Sequence, residues 1–252
     1  VSVINNGTIQ WTSGTNITVP TTLTNNGAIT VDAAGVLSIG GTIAGGTITT
    51  TAGAKIAGGT LDNVTVDGDF RVAGNNVFTV INGLTLNGVA SLGESNGNGG
   101  YLRFNGSQTL GGTGTVAFAS SNPFNTLWAP DAGSTFTIGS GITVRGQRGV
   151  IGSNTGQLGG SPSVSVINNG TIQADGGNTI FVNAGAGGRV NPLRREIVLQ
   201  RAHGQIALAI GDDPLNRGGG ARDGGVVGDL SHQRRAADVA AVGDRLGAVG
   251  GV

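Results

Sequence analysis

Three carboxylates are spaced as metal ligands would be. Asp62, Asp67 and Asp69 fall within the single stretch Leu61–Phe70. Converging oxygens of this kind bind Ca2+. In a strand or turn, Asp67 and Asp69 share one side, with Asp62 a corner away. Polar corner residues are the better account of all three. The nonapeptide calcium pattern GGxGxDxUx fails, because Gly111-Gly112-Thr113-Gly114-Thr115 runs into Val116 where Asp is required. Paired carboxylates can also cleave glycosidic bonds. Glu94, the one Glu before residue 188, sits in a Gly/Asn stretch, as a solvated charge would. Both histidines, His203 and His232, lie late in the chain, so no nucleophile before them has a histidine partner close in sequence. We therefore expect no enzyme, no catalytic residue, no metal ligand and no cofactor.

Weaker signals concern binding. Trp11, Tyr101 and Trp128 are large aromatics with polar edges, suited to stacking on sugar rings, and Trp128 lies between Pro123 and Pro130. They are the candidate glycan contacts; strand-end or core-rim packing is the alternative. Arg145 and Arg148 form a small basic spot of two charges, which binds little. Thr-x-Thr pairs occur at Thr47/Thr49, Thr49/Thr51, Thr113/Thr115 and Thr135/Thr137. A regular threonine array on one flat face would suggest ice binding. The pairs do not recur at coil spacing, so ordinary β-propensity is the better account. Asn16-Ile17-Thr18, Asn63-Val64-Thr65 and Asn105-Gly106-Ser107 are glycosylation acceptors only in a glycosylating pathway.

Whatever these residues do, short strands must position them. Ile29-Thr30-Val31, Val64-Thr65-Val66, Leu84-Thr85-Leu86 and Phe136-Thr137-Ile138 each alternate apolar with polar residues and are rich in β-formers. Between such words stand Asn5-Asn6-Gly7, Asn25-Asn26-Gly27, Gly45-Gly46, Gly58-Gly59 and Asn82-Gly83, which supply the positive φ of sharp corners. Strands this short with corners this frequent favour a coil over a sandwich, whose strands run to about five or six residues. The expected fold is all-β, a single-stranded parallel β-helix (β-solenoid). Each coil would carry roughly 20 residues and pair with the next at about 4.8 Å, giving about nine coils over residues 1–188. No coil buries its apolar face alone, so stability accumulates from neighbours.

The decapeptide Val1–Gln10, VSVINNGTIQ, returns unchanged at Val164–Gln173. This marks a module of about 163 residues bracketed by copies of its own edge. The chain reads as a slice of a larger repetitive protein, and its opening Val as truncation or processing.

Composition narrows the class further. Glycine supplies 50 of 252 residues, against 6 prolines and no G-X-Y period, which excludes collagen. Net charge is +0, which argues against nucleic acid or an anionic surface held by field strength. No apolar run is long enough to insert into a membrane as a helix. With no Cys there are no disulfides and no thiolate metal sites. Residues 1–188 form the solenoid zone. Residues 189–252 change character: Arg, Gly, Ala and Asp dominate and no period persists. This predicts an irregular tail, either a divergent linker or cap or the product of a shifted reading frame. Within it, Gln205–Ile210 fits strand or helix, and Gln233–Val242 a short helix.

The words NNGTIQ, GGTLDNVTVDGDFRV, VINGLTLNGVASLG, YLRFNGSQTLGGTGTVAF, STFTIGSGITVRGQRGVIG and SVINNGTIQADGGNTI resemble modules of filamentous-haemagglutinin-like and autotransporter-like β-helix adhesins of bacteria. The resemblance covers residues 1 to about 183 and rests on repeat style. It implies export to the bacterial cell surface, a right-handed parallel β-helix, and work as a stalk or adhesive face. The implied partners are glycans, a host or neighbouring cell surface, and neighbouring repeats. The rival is a β-helix polysaccharide lyase or glycoside hydrolase. His203-Gly204 and Asp212-Asp213 resemble pectin-hydrolase words, but in the wrong order and without the companion words.

Overall fold

The computed structural model describes residues 2–11, 16–33, 35–72, 75–94, 97–184 and 205–210. Contacts divide the chain into Val1–Pro214 and Leu215–Val252, and every described residue lies in the first unit.

The described residues form strands that wind as stacked coils. The first coil is β1 (Val3–Asn5), β2 (Thr8–Trp11) and β3 (Asn16–Val19). The second is β4 (Thr22–Asn25), β5 (Ala28–Val31) and β6 (Val36–Ile39), and the third is β7 (Thr42–Ala44), β8 (Thr47–Thr50) and β9 (Lys55–Ala57). In the fourth, β10 (Thr60–Asp67) covers two faces before β11 (Phe70–Val72). In the fifth, β12 (Val77–Leu86) does the same before β13 (Val89–Leu92). The sixth is β14 (Tyr101–Phe104), β15 (Gln108–Gly112) and β16 (Thr115–Phe118). The seventh is β17 (Thr126–Trp128), β18 (Thr135–Ile138) and β19 (Thr143–Gly146). The eighth is β20 (Gly149–Gly152), β21 (Ser165–Asn168) and β22 (Thr171–Ala174). β23 (Thr179–Ala184) opens a further coil on the first face, and β24 (Gln205–Ile210) pairs on top of it.

Every pairing between these strands is parallel, as a coil that always turns the same way requires. A 16-stranded sheet wraps the first two faces, and an 8-stranded sheet, one strand per coil, makes the third. The all-β solenoid expected from strand words and corner glycines is therefore the fold. Gln205–Ile210, where the sequence leaves strand and helix open, is a strand.

Alternation fixes which residues make the core. In β4, Leu23 and Asn25 point inward while Thr22 and Thr24 face out. Stacking then aligns like with like. Leu23, Ile43, Leu61, Val80 and Phe104 form one inward column on the first face. Ile9, Ile29, Ile48, Val66 and Leu86 form another on the second. Val116, Val144 and Ile172 continue the third. Each aliphatic side chain so buried contributes about 1.5–3 kcal/mol relative to leaving it in water.

Corners are tight and specific. β10 and β12 cross the corner between faces one and two through Asn63 and Asn82, at φ 51 and 56. Asparagine tolerates this left-handed region better than any residue with a larger side chain. At the same corner lower in the stack, Asn5 and Asn25 form a buried ladder: the Asn5 Nδ2 donates to Asn25 Oδ1 at 2.8 Å, and the Asn25 Nδ2 to the Thr47 carbonyl at 3.3 Å. At Gly68, φ is 114 and a Cβ would overlap the Thr50 carbonyl oxygen of the coil below.

The repeated decapeptide does not return to the same face. Val3–Asn5 lies on face one, yet its counterpart Val166–Asn168 lies on face two; Thr8–Gln10 lies on face two, and Thr171–Gln173 on face three. The corner chemistry is kept nonetheless. The Gly7 amide donates to Asn5 Oδ1 at 3.1 Å, and the Gly170 amide to Asn168 Oδ1 at 3.2 Å.

Candidate functional site

The acidic triplet is built into the corners. Asp62 Oδ1 accepts from Asn82 Nδ2 at 2.6 Å, Asp67 Oδ1 from Asn87 Nδ2 at 2.6 Å, and Asp69 Oδ1 from the Val89 amide at 2.8 Å. Each carboxylate thus clasps the coil above it at a different point. Among the described residues, no three His, Cys, Asp or Glu side chains are grouped to hold a metal. Glu94 sits in the loop after β13, where its amide donates to the Asn98 carbonyl. His203, His232, Asp212 and Asp213 lie outside the described residues, as does Gln233–Val242.

The three aromatic candidates fare differently. Trp11 ends β2 pointing inward and is 2% exposed, so its indole offers no face to a sugar. Tyr101 is 7% exposed, with its hydroxyl donating to Asn75 Oδ1 at 3.2 Å. Burial raises its pKa above the ordinary phenol value. Trp128 is half-buried on the outer side of face one, and the Arg103 guanidinium lies over its ring at 5.1 Å from the centroid. β14 and β17 set this contact directly, because Arg103 and Trp128 are register partners on adjacent coils. A cation over an indole face is worth about 0.5–1 kcal/mol at an exposed site.

Two loops stand where face three turns back to face one, ahead of β14 and β17. Their described residues are 93–94 with 97–100, and 119–125, and Phe124 in the second is 37% exposed. Asn125, wholly buried, holds them together. Its Oδ1 accepts from the Gly100 amide at 3.2 Å, and its Nδ2 donates to the Ser120 and Arg148 carbonyls at 3.1 and 3.2 Å. The Asn122 side-chain amide also donates to the Gly97 carbonyl, joining loop to loop. Trp128 and Arg103 together present an indole with a cation over its ring, a combination suited to stacking and to acceptor-rich ligands. Phe124 stands apart from them, in the loop that precedes β17.

Other outer positions also form columns. Thr22, Thr42, Thr60 and Thr79 stack on successive coils of face one. Thr47, Thr65 and Thr85 stack on face two. Single threonines therefore stack, while the Thr-x-Thr pairs themselves do not recur at coil spacing: Thr47 and Thr49 align with Thr65 and Asp67, and Thr135 and Thr137 with Ser165 and Ile167. The stacked threonines do not form a two-column array, since the column beside the first is Thr24, Ala44, Asp62 and Ile81. Lys55 and Arg71 are stacked and exposed on face three, a basic pair with no sequence signal. Arg145 pairs with Asp175 at 2.5 Å, so the expected Arg145/Arg148 spot is in part neutralised. Of the sequon asparagines, Asn63 is exposed and Asn105 half-buried; Asn16 lies at the start of β3.

Comparison of the chain with protein-family models, with curated proteins and with solved structures gives no match.

Proposed function

We propose that residues 2–184 are a structural, adhesive segment of a larger exported bacterial surface protein. Stacked coils serve as a stiff stalk, and their outer columns as a repetitive binding face. The observation that carries this reading is that both decapeptides form strand–corner–strand units within one stack of parallel coils. A fold assembled from near-equivalent coils extends without redesign, because each coil needs only its neighbours. The Trp128 ring with Arg103 over it is the preferred contact for a glycan. Any affinity comes from many weak contacts acting together.

A panel of acidic and neutral polysaccharides tests this reading. Saturable binding that Trp128→Ala weakens, with no new reducing ends or unsaturated products, supports it. Measurable turnover would replace it with the lyase or hydrolase reading. A second reading, an ice-binding face, draws on the column Thr22–Thr42–Thr60–Thr79. Thermal hysteresis lost on Thr42→Val with Thr60→Val would favour it.

A further inference from the structure

Past Gly152 the chain leaves the ladder over residues 153–163, and Val164 rejoins the core. The same corner between faces one and two needs far less elsewhere: Asn82-Gly83 turns it inside β12. The excursion is held from both sides. Asn154 Nδ2 donates to Thr126 Oγ1 at 2.9 Å, and the Ser161 amide to the Pro130 carbonyl at 2.7 Å. Ser153 Oγ closes the base by donating to the Ser161 carbonyl at 3.0 Å, and Asn154 pairs antiparallel with Gly159. Thr126 is wholly buried, and Ser153 and Asn154 are each 6% exposed. Buried polar groups satisfied in this way hold a loop in one shape. The anchor residues Thr126 and Pro130 stand on either side of Trp128 in the chain. A fixed hairpin is therefore rooted around the position of the indole, with Thr155, Gly156 and Gln157 exposed on it.

The positive charge at this place is unspent. Arg103 lies over the Trp128 ring and makes no ion pair among the described residues. Neither its Nε nor the Trp128 Nε1 has a hydrogen-bond partner among them. The outer column that carries both side chains, from Thr22 through Thr79 to Asn183, holds no carboxylate. Asp131, the next acid along the chain, accepts from the Gly106 amide at 2.6 Å. Arg145 differs, since Asp175 neutralises it. A guanidinium laid over an indole keeps its N–H donors in its own plane, so the ring contact and a carboxylate do not compete for it.

We propose that the Trp128 spot takes an acidic sugar, a uronate residue within a glycan chain, and that Arg103 is the group that selects it. This narrows the glycan reading and rests on it. Arg103 holds the carboxylate through its fork of N–H donors. Trp128 packs on the C–H face of the same sugar. The hairpin gives the spot a rigid border, so no loop has to order before the sugar is held.

The probes are three uronate polymers, polygalacturonate, alginate and hyaluronan, each beside its carboxyl-reduced, neutral form. Binding to the full chain is followed by titration calorimetry, and each variant is first shown to keep native β-sheet circular dichroism. At least one acidic polymer should bind about tenfold or more tightly than its reduced form, the value of one charge-assisted contact. Arg103→Gln should erase that preference while the reduced form binds as before. Arg103→Lys, which keeps the charge and loses the fork, should fall between. Trp128→Ala should weaken both forms. Arg71→Gln, on face three, should leave the preference intact, which separates a local contact from the general field of charge. Reduced polymers that bind as tightly as the acidic ones, or a preference that survives Arg103→Gln, overturn this inference and leave the glycan reading standing. Equal losses from Arg71→Gln and Arg103→Gln also overturn it. No saturable binding by any polymer, acidic or reduced, overturns both.

Discussion

Coils one to five and coils six to eight follow the same rule with different lengths. In the first group, register partners such as Val3 and Leu23, Leu61 and Val80, or Lys55 and Arg71 stand 16 to 20 residues apart. In the second, Val80 pairs with Phe104, Leu110 with Ile138 and Ile151 with Val182, spacings of 24 to 31 residues. The strands hardly change; the added residues go into corners, among them 97–100, 119–125 and 153–164. Leu, Ile and Val line the core of both groups, and both bury aromatics: Trp11, Phe70 and Phe78 in the short coils, Phe104, Phe118 and Phe136 in the long ones, with the Phe104 and Phe136 rings 4.4 Å apart. The lesson is that corners can grow while the ladder keeps its register. The long-coil region is also where Arg103 lies over the Trp128 ring. Loops held on a rigid ladder are where binding residues are best placed.

The comparison breaks first in the long-coil core. Phe136→Ala should cost about 3–5 kcal/mol, because it removes a wholly buried ring packed on Phe104 and leaves a cavity; urea unfolding of the purified chain reads it. Ile48→Val in a short coil should cost only about 0.5–1.5 kcal/mol. Next comes the loop hub: Asn125→Leu strands the Gly100 amide and the Ser120 and Arg148 carbonyls, at about 1–3 kcal/mol, and hydrogen exchange should quicken in both loops before the strands. Corners sharpen the contrast. Gly68→Ala in a short coil meets both a left-handed φ and the Thr50 carbonyl, and should exceed Gly133→Ala, where φ is 72 but nothing lies within 4 Å. Backbone strain alone costs on the order of 1 kcal/mol, so the difference between the two melting curves isolates the crowding.

The smallest effect is electrostatic. Tyr101 is the single tyrosine, so ultraviolet difference absorbance follows it alone. Its folded pKa is raised by burial, so the native state holds its proton more tightly than the unfolded chain does. The associated stability is complete below the ordinary phenol pKa near 10 and is lost as pH rises through the folded value. Tyrosinate should appear only above that ordinary value, and at the ordinary value once urea has unfolded the chain.

Much of the fold could be read from sequence because its rules are local. Val64-Thr65-Val66 alternates with period two wherever it is placed, and Asn25-Asn26-Gly27 demands a corner in any context. What depends on summed coil length could not be read. Thr42 and Thr60 stack across 18 residues, but Thr115 and Thr143 stack across 28. No single spacing reveals both columns. The shift of the decapeptide by one face is hidden for the same reason, since it reflects the accumulated length of every corner between. Trp11 and Trp128 also look alike in sequence, yet inward and outward positions differ by one residue of register. Asn125 gave no sign at all: its importance lies in partners on three separate segments.

The stacked parallel ladder is the claim on which the rest stands. Spin labels placed pairwise on one outer column test it, at Thr22 with Arg103 and at Thr22 with Asn183. These pairs span four and seven coil spacings, so the backbone separations should be about 19 and about 34 Å at 4.8 Å per coil. Separations that grow by two or three strand widths for each 20-odd residues, as an antiparallel meander would give, contradict it.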